Sequence, residues 1–365
     1  MSKSRRKVAF IVADGGLGGG TTHVLQLVKG LPDTYEISVV TEKNSHLAMA
    51  IQALGAAVYP VNLFGPLAAT HGFLELISAL RHFNPDIVHA HGSRAGFFAA
   101  IATAMTGKPL SVYTNHGLHF SQKYGVQKLF GIAAERLTTG RAAAVIYVSQ
   151  SDLQKSVAMR TVIAEKAHVV RNGIEIPQRR VARARKWDVA FIGRLVHPKD
   201  PLLFIDALRG AKVQNALVIG AGELRNAMIE KARAYGLLGR IVFLGELPHE
   251  QVLKILPAVG VVVMTSRWEG LPILPLEAIS LGVPVVATAV GGVPEIIDGG
   301  AGGVLVRRDS EEIRAAMERV LVDTNYREML ISKGRARLRE EFSIQVTISK
   351  IINIYQKVVR GAGAP

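Results

Sequence analysis

The stretch Glu269-Gly270-Leu271-Pro272-Ile273-Leu274-Pro275-Leu276-Glu277-Ala278 follows the apolar run Val261–Thr265. Such a run suits a buried strand, and Gly270 and Pro272 punctuate it with a turn. Pro275 can open a helix, which leaves Glu269 in the loop and puts Glu277 near the first helical turn. Two carboxylates on either side of one turn can each accept hydrogen bonds from vicinal hydroxyls, at opposite ends of a single ligand. Glu277 has a plainer reading as well, because acids are favoured near helix N-termini. Glu269, beside Trp268, has no such reading.

The same grammar extends in both directions. Upstream, Val189–Ile192, Ala216–Ile219 and Ile241–Leu244 read as strands, and downstream so does Val285–Ala287. An earlier series comprises Val8–Ala13, Ile37–Thr41, Ile87–His91, Leu110–Thr114 and Val145–Val148, with helical patterns such as Thr22–Leu31 and Leu74–Phe83 between. Apolar runs alternating with helices predict parallel sheets covered on both faces. Residues 176–187 carry neither period and are rich in Arg and Lys, as a linker would be. The prediction is an α/β chain of two doubly wound, Rossmann-like domains facing across a central cleft. They span residues 1–175 and 188–342. Ligands are expected at the carboxyl ends of the strands and between the halves. Residues 343–360 follow a 3.6-residue period through Ile344, Ile348, Ile351, Ile352, Tyr355, Val358 and Val359. That helix is expected to pack either on the C-terminal domain or back on the N-terminal one.

Length and composition agree, since 365 residues exceed one ordinary core and 49% hydrophobic with 20% charged residues is a globular balance. With no Cys, disulfides and thiol nucleophiles are excluded, and a reducing cytoplasm fits. The net charge of +15 is shared by both halves, +7 (17 basic against 10 acidic) over residues 1–175 and +8 (27 against 19) beyond. A polyanion, an anionic membrane or an anionic substrate each accounts for it, as does plain solubility. The basic start at Lys3 precedes an apolar run too short for a signal-peptide core, and no apolar run reaches membrane-spanning length. The low aromatic content, 6%, and the lack of an RNA-binding signature argue against nucleic acid.

Other candidate groups cluster after the strands. Gly15-Gly16-Leu17-Gly18-Gly19-Gly20 lies between a strand and a helix, where backbone N–H groups can approach a phosphate. It matches neither the dinucleotide fingerprint nor a P-loop, so a tight turn without a ligand is equally open. Gly193-Arg194-Leu195-Val196-His197-Pro198-Lys199-Asp200-Pro201 sets Arg194 and Lys199 on one rim, where two cations suit a diphosphate. Asp200 is expected to cap a helix that Pro201 opens. His89 and His91 share one face of a strand end, and acceptor contact with Ser93 and Arg94 is preferred to zinc, for which a third ligand is missing. Val126, Leu129, Phe130, Ala133 and Leu137 form a helical stripe beside Lys123, Lys128 and Arg136. Core packing is the favoured reading of that stripe, a membrane-facing surface the other.

Taken together, these segments resemble glycosyltransferase family 4, retaining enzymes of GT-B fold, over essentially the whole chain. The most specific likeness is Glu-x7-Glu at Glu269 and Glu277, within a phrase running from Ser266 to Gly291. Gly193-Arg194 with Lys199, Gly220-Ala221-Gly222-Glu223 and Asn172-Gly173-Ile174 are similar too. So are the glycine-rich segment Gly18 to Val24 and Tyr113-Thr114-Asn115-His116-Gly117. Two departures are Asp200, where the family often has Gly, and Pro272, where many members have Gly.

The resemblance implies roles. Arg194 and Lys199 would bind the donor diphosphate, Glu277 the ribose hydroxyls, and Glu269 the transferred sugar with backbone from Gly270 through Leu271, Pro272 and Ile273 to Leu274. His116 would sit beside sugar and phosphate, Gly18 and Gly19 would close over the phosphate, and backbone at Gly245, Glu246 and Leu247 would meet the base. No Asp-x-Asp occurs, so no metal and no cofactor is expected. The expected partners are a nucleotide-sugar donor, UDP-sugar before GDP-mannose, and a glycan or polyprenyl-linked acceptor of bacterial surface polysaccharide or glycolipid synthesis. Apart from the resemblance, the spread charge of +15 and the basic flank of the 126–137 helix make an anionic membrane surface a further expected partner, which would place a cytoplasmic protein on the inner membrane face. A sugar-nucleotide epimerase of the same shape and a basic nucleic-acid scaffold are the competing readings.

Overall fold

The computed structural model describes residues 5–65, 68–107, 109–179 and 183–362. The chain divides into two compact units, Met1–Gly173 with Ile344–Pro365, and Ile174–Ser343.

The first unit alternates β1 (Arg6–Val12), α1 (Gly19–Gly30), β2 (Tyr35–Thr41), α2 (His46–Ala53), β3 (Ala57–Pro60), α3 (Phe73–Phe83), β4 (Ile87–His91), α4 (Ser93–Thr106), β5 (Leu110–Asn115), α5 (Gly125–Arg141), β6 (Ala144–Tyr147), α6 (Gln150–Ala158) and β7 (Ala167–Val169). The strands form one parallel sheet in the order β3-β2-β1-β4-β5-β6-β7. Residues of β1 alternate between two cores, which is why its sequence is apolar throughout. Val8, Phe10 and Val12 pack with Val24 and Leu27 on one face, Ala9 and Ile11 with Leu76 and Leu80 on the other.

The second unit runs β8 (Trp187–Ile192), α7 (Pro201–Leu208), β9 (Ala216–Ile219), α8 (Arg225–Ala234), β10 (Ile241–Gly245), α9 (His249–Ile255), β11 (Val259–Met264), α10 (Ile273–Ser280), β12 (Val285–Thr288), α11 (Val293–Ile296), β13 (Gly303–Val306), α12 (Ser310–Val322) and α13 (Thr324–Glu341). Its sheet is parallel in the order β10-β9-β8-β11-β12-β13. Both sheets are doubly wound. Strand order reverses at β1/β4 in one and at β8/β11 in the other, and each reversal opens a crevice at the strands' carboxyl ends.

Three strands were not legible beforehand: β3, β7 and β13. All three are sheet edges of three or four residues, with Pro60, His168 and Gly303 leaving at most three apolar residues in a row within each strand, whereas β10, the fourth edge, keeps the run Ile241–Leu244. The expected linker is held in part by the second unit. Lys186 N–H donates to the Ala258 carbonyl at 2.9 Å and the Arg183 guanidinium to that of Lys254 at 3.1 Å. Arg180, Val181 and Ala182 of that segment lie outside the described residues, as does the basic Lys3 at the start.

The last helix, α14 (Ile344–Ala362), joins the first unit. Ile344, Ile348, Ile351, Ile354 and Tyr355 are buried in the same core as Val8, Phe10 and Leu27. A Cβ added at Gly30 of α1 would stand 2.1 Å from Ile348 Cδ1, so glycine there lets the two helices approach. Among the described residues, no helix is long and apolar enough to cross a membrane.

The stripe on α5 corrects an expectation. The helix turns Ile132, Glu135, Thr138 and Thr139 inward, while Val126, Leu129 and Phe130 project outward and are exposed. Core packing therefore does not explain them.

Candidate active site

The β8–α7 loop brings Arg194 and Lys199 to the reversal point of the second sheet, and the β11–α10 loop brings Glu269. The Lys199 ammonium donates to Glu269 Oε1 at 2.5 Å, and the Ser266 hydroxyl donates to the same oxygen at 2.6 Å. Arg194 is exposed and, among the described residues, has no ion-pair or hydrogen-bond partner. One rim thus carries a free guanidinium and an ammonium held by a carboxylate, an arrangement suited to a multivalent anion.

Asp200 follows Lys199 in a left-handed conformation, φ 45°. Glycine suits that backbone best, and Asp is among the few other residues that adopt it. Asp200 holds the position before Pro201 as expected, but its side chain does not cap the helix. Its carboxylate instead takes Arg267 at 3.0 Å and also Arg308. The Thr265 hydroxyl donates to the carbonyls of Lys199, at 3.1 Å, and Asp200, at 2.8 Å, pinning this loop to the end of β11.

Backbone packs against backbone around this rim. A Cβ at Gly291 would fall 1.8 Å from the Glu269 carbonyl oxygen, and Gly292 N–H donates to the Gly270 carbonyl at 2.7 Å. Gly220 is equally constrained, its hypothetical Cβ 2.0 Å from the Gly193 carbonyl. These glycines allow loops after adjacent strands to close into one surface.

α10 begins at Ile273 with Pro272 before it, at φ −69° and ψ 142°, a backbone proline readily adopts. Pro275 is its third residue, where a missing N–H removes no helical hydrogen bond. Glu277 therefore lies beyond the first turn, which removes its plainer reading as a charge at the helix start. It is buried, and its Oε1 meets His249 Nε2 of α9 at 2.6 Å. α9 follows Gly245, Glu246 and Leu247, the segment expected to meet a base.

In the first unit the glycine-rich loop follows β1, and Gly18 precedes α1. A Cβ at Gly18 or Gly20 would meet nothing within 4 Å, and neither residue adopts left-handed backbone. Internal packing gives no reason for glycine there. Open space beside a helix N-terminus does, if a ligand approaches closely. Gly15 differs, being closed in by Ser45 and Thr41.

Beside this loop, His23, His91 and His116 gather. His91 Nδ1 lies 3.1 Å from His116 Nε2, and the His23 ring centroid is 5.7 Å from that of His91 and 5.3 Å from that of His116. Burial, reinforced by the neighbouring imidazoles, pushes His23 and His91 well below the usual histidine range, so both are neutral. His23 Nδ1 and His91 Nε2 are buried without a partner among the described residues. Buried polar atoms left unpaired are uncommon and gather at functional sites.

His89 corrects another expectation. It is fully buried, with Nδ1 2.6 Å from the Tyr355 hydroxyl of α14 and Nε2 2.7 Å from the Thr114 hydroxyl. Both ring nitrogens are taken, so it is a core residue and not an acceptor contact. Arg94 remains exposed on α4, donating to the Leu63 carbonyl at 3.1 Å and lying over the Phe64 ring. Ser93, half-buried, receives the Tyr113 hydroxyl at 3.4 Å.

Behind His116 lies a buried polar network. Asn115 Oδ1 accepts from Gly117 N–H at 2.8 Å, and its Nδ2 donates to Glu135 Oε1 at 2.7 Å. The Tyr113 hydroxyl also donates to Glu135. Burial raises the Glu135 carboxyl from 4.5 to about 7, although the bonds from Asn115 and Tyr113 pull the other way. A folded value above the unfolded one means that the native state holds the proton. Its stabilisation is complete below pH 4.5 and is lost as pH rises through about 7. Glu135→Gln should flatten that dependence. Urea midpoints taken from pH 4.5 to 8 should show wild type losing about 3 kcal/mol relative to the variant. The buried histidines contribute equally to both proteins and cancel. A constant difference across the range refutes the assignment.

Sequence reasoning missed His249, Ser266, Asn115 and Glu135 as working groups. A partner for buried Glu277 is required on energetic grounds, but nothing in a separation of 28 residues points to His249. His23 was visible only as a member of the glycine-rich phrase from Gly18 to Val24.

Comparison with known proteins agrees with this geometry. Residues 174–337 match the family described as Glycosyl transferases group 1, and residues 17–177 match Glycosyltransferase Family 4. The chain is a glycosyltransferase of the group 1 type, built on the GT-B fold. It is 25% identical over 386 residues, 98% of each chain, to the UDP-Gal:alpha-D-GlcNAc-diphosphoundecaprenol alpha-1,3-galactosyltransferase of Escherichia coli. It is 28% identical to the alpha-maltose-1-phosphate synthase of Mycolicibacterium smegmatis, over 93% of this chain and 96% of that one. The crystal structure of Anabaena HepE in complex with UDP and glucose shares the fold, with a TM-score of 0.86 at 21% identity, over 96% of this chain and all of that one.

Proposed function

We propose that this glycosyltransferase transfers a hexosyl or N-acetylhexosaminyl group from a UDP-sugar to a glycan or polyprenyl-linked acceptor, with retention and without a metal ion. The observation that carries the reading is the rim in the second unit, where Arg194, unpaired among the described residues, and the Lys199–Glu269 pair lie in loops after the adjacent strands β8 and β11. The donor's diphosphate takes Arg194, Lys199 and backbone N–H groups from Gly270 to Leu274. Glu277 takes the ribose hydroxyls, Glu269 the sugar, and Gly245 to Leu247 the base. In the first unit, Gly18 and Gly19 are suited to a phosphate and His116 to a sugar hydroxyl. In the transfer, the bond from the anomeric carbon to the phosphate oxygen breaks, and one to the acceptor oxygen forms on the same face. The departing phosphate oxygen takes the acceptor's proton. Side-chain cations and helix N-termini supply the charge stabilisation a metal would otherwise give.

Uridine is favoured over guanosine because the E. coli relative is named for a UDP-galactose donor and the Anabaena protein was solved with UDP. The undecaprenyl-linked acceptor in the E. coli name supports surface-polysaccharide synthesis in the same way. A thermal-shift panel of UDP-, GDP- and ADP-sugars tests the donor, because a ligand of the native state stabilises it by mass action. Release of UDP on adding acceptor in the presence of EDTA tests the reaction. Release that requires restored magnesium or manganese overturns metal independence, and donor consumption without acceptor favours an epimerase.

One prediction follows from Glu277. Glu277→Ala should weaken UDP binding by about tenfold to a hundredfold, the scale of losing one or two hydrogen bonds to a charged group. Calorimetric titration with UDP measures this, and an unchanged dissociation constant removes Glu277 from the site.

A further inference from the structure

The first two turns of α5 present an apolar surface that the enzyme's chemistry does not use. Tyr124 is 90% exposed, Val126 81%, Leu129 67% and Phe130 72%. Val126, Leu129, Phe130 and Ala133 recur at helical spacing and so share one face. The opposite face is firmly seated. Ile132 packs with Tyr113, Leu118 and Tyr147, and a Cβ at Gly131 would stand 2.4 Å from Phe120 Cβ. This is a fixed helix with an unpartnered apolar side. Three large apolar residues exposed on one helical face, with Tyr124 exposed just before them, exceed the single scattered ones normal on a soluble surface.

Charge identifies the occupant. Between Asp86 and Glu135 the chain has no carboxylate, while it carries Arg94, Lys108, Lys123 and Lys128. Glu135 itself is buried and hydrogen-bonded. Lys123 stands exposed just before the helix, and Arg136 is exposed on its next turns, with its guanidinium on the carbonyls of Met159 and Arg160. Apolar side chains projecting from a segment with no carboxylate between Asp86 and Glu135 match the acyl boundary and headgroups of an anionic bilayer.

We propose that the α5 face formed by Val126, Leu129 and Phe130, with exposed Tyr124 just before it, docks the protein on an anionic lipid bilayer. The apolar side chains enter the boundary between headgroups and acyl chains, and the flanking cations pair with the headgroups. The proposal does not rest on the donor assignment, and its test does not require turnover.

The experiment is flotation of the full chain with vesicles of phosphatidylcholine alone and of phosphatidylcholine with phosphatidylglycerol at 3:1. Wild type should float with the anionic vesicles and only weakly with the neutral ones. Leu129→Glu/Phe130→Glu should lose flotation at least about tenfold, because it replaces burial of two large side chains with burial of charge. Both positions are exposed, and an unchanged thermal midpoint confirms folding. Lys123→Glu should shift the salt concentration that halves binding to a lower value. Wild type that stays with the pellet, or flotation unaltered by the double substitution, overturns the proposal. So does a wild-type dimer that the double substitution dissociates without any vesicle binding, since the face then belongs to a second copy of the chain.

Discussion

Replacing Arg194 or Lys199 with alanine is expected to lower kcat by about 10²–10³-fold, the scale for losing one preorganised electrostatic donor. Both cations act on a diphosphate whose charge grows as the glycosidic bond breaks. Interactions that strengthen in the transition state appear in kcat, not only in KM. The two losses should not be alike in origin. Arg194 is unpaired among the described residues, so its removal deletes only a contact to the ligand. Lys199 also neutralises Glu269, so its removal leaves that carboxylate, among the described residues, with the Ser266 hydroxyl and no cation. Lys199→Ala should therefore also disturb the sugar's position and raise KM further than Arg194→Ala does. The double variant should lose less than the product of the single losses, because the two groups share one partner. Lys199→Arg should be impaired as well, since a planar fork does not replace a compact ammonium at 2.5 Å from Glu269. Steady-state kinetics with the donor found in the thermal-shift panel measure all four proteins. Thermal midpoints within a degree or two of wild type keep the result separate from stability. Near-wild-type kcat in both single variants would make these plain surface charges.

Removal of α14 is expected to prevent the first unit from folding. The helix comes last in the chain, yet Ile344, Ile348, Ile351, Ile354 and Tyr355 lie in the core beneath β1 and α1. At roughly 1.5–3 kcal/mol for each fully buried large side chain, their loss amounts to about 7–15 kcal/mol. That is as much as a whole domain's net stability. The Tyr355 hydroxyl would also leave His89 Nδ1 without its partner. A chain ending at Ser343 should be insoluble, or should show a folded second unit alone in limited proteolysis. Tyr355→Phe gives a milder check, destabilising by about 1–3 kcal/mol through the unpaired imidazole nitrogen. A truncated chain with the wild-type thermal midpoint would contradict this account of the core.

The inner strands and both doubly wound halves were legible because each buried strand is apolar on two faces, and this leaves an unbroken run in the sequence. Edge strands β3, β7 and β13 are short, and Pro60, His168 and Gly303 cut their apolar runs to three residues or fewer. Arg194, Lys199 and Glu269 could be picked out because each lies in a short loop directly after a strand, and Glu277 because it follows in the helix that such a loop enters. In that setting, chain order and position at the carboxyl edge of the sheet are nearly the same thing.

Tertiary structure alone decided which side chains meet. His249 reaches Glu277, Asp200 turns from the helix it precedes toward Arg267 and Arg308, and His89 is sealed between Tyr355 and Thr114. The partners are 28, 67, 108, 266 and 25 residues apart, and no local period records such distances. The exposed face of α5 belongs here too. Apolar spacing establishes that a helix has a stripe, but only the packing around it determines whether that stripe is covered. Periodicity reflects how one segment turns along its own axis. Whether anything lies against it depends on where the rest of the chain goes.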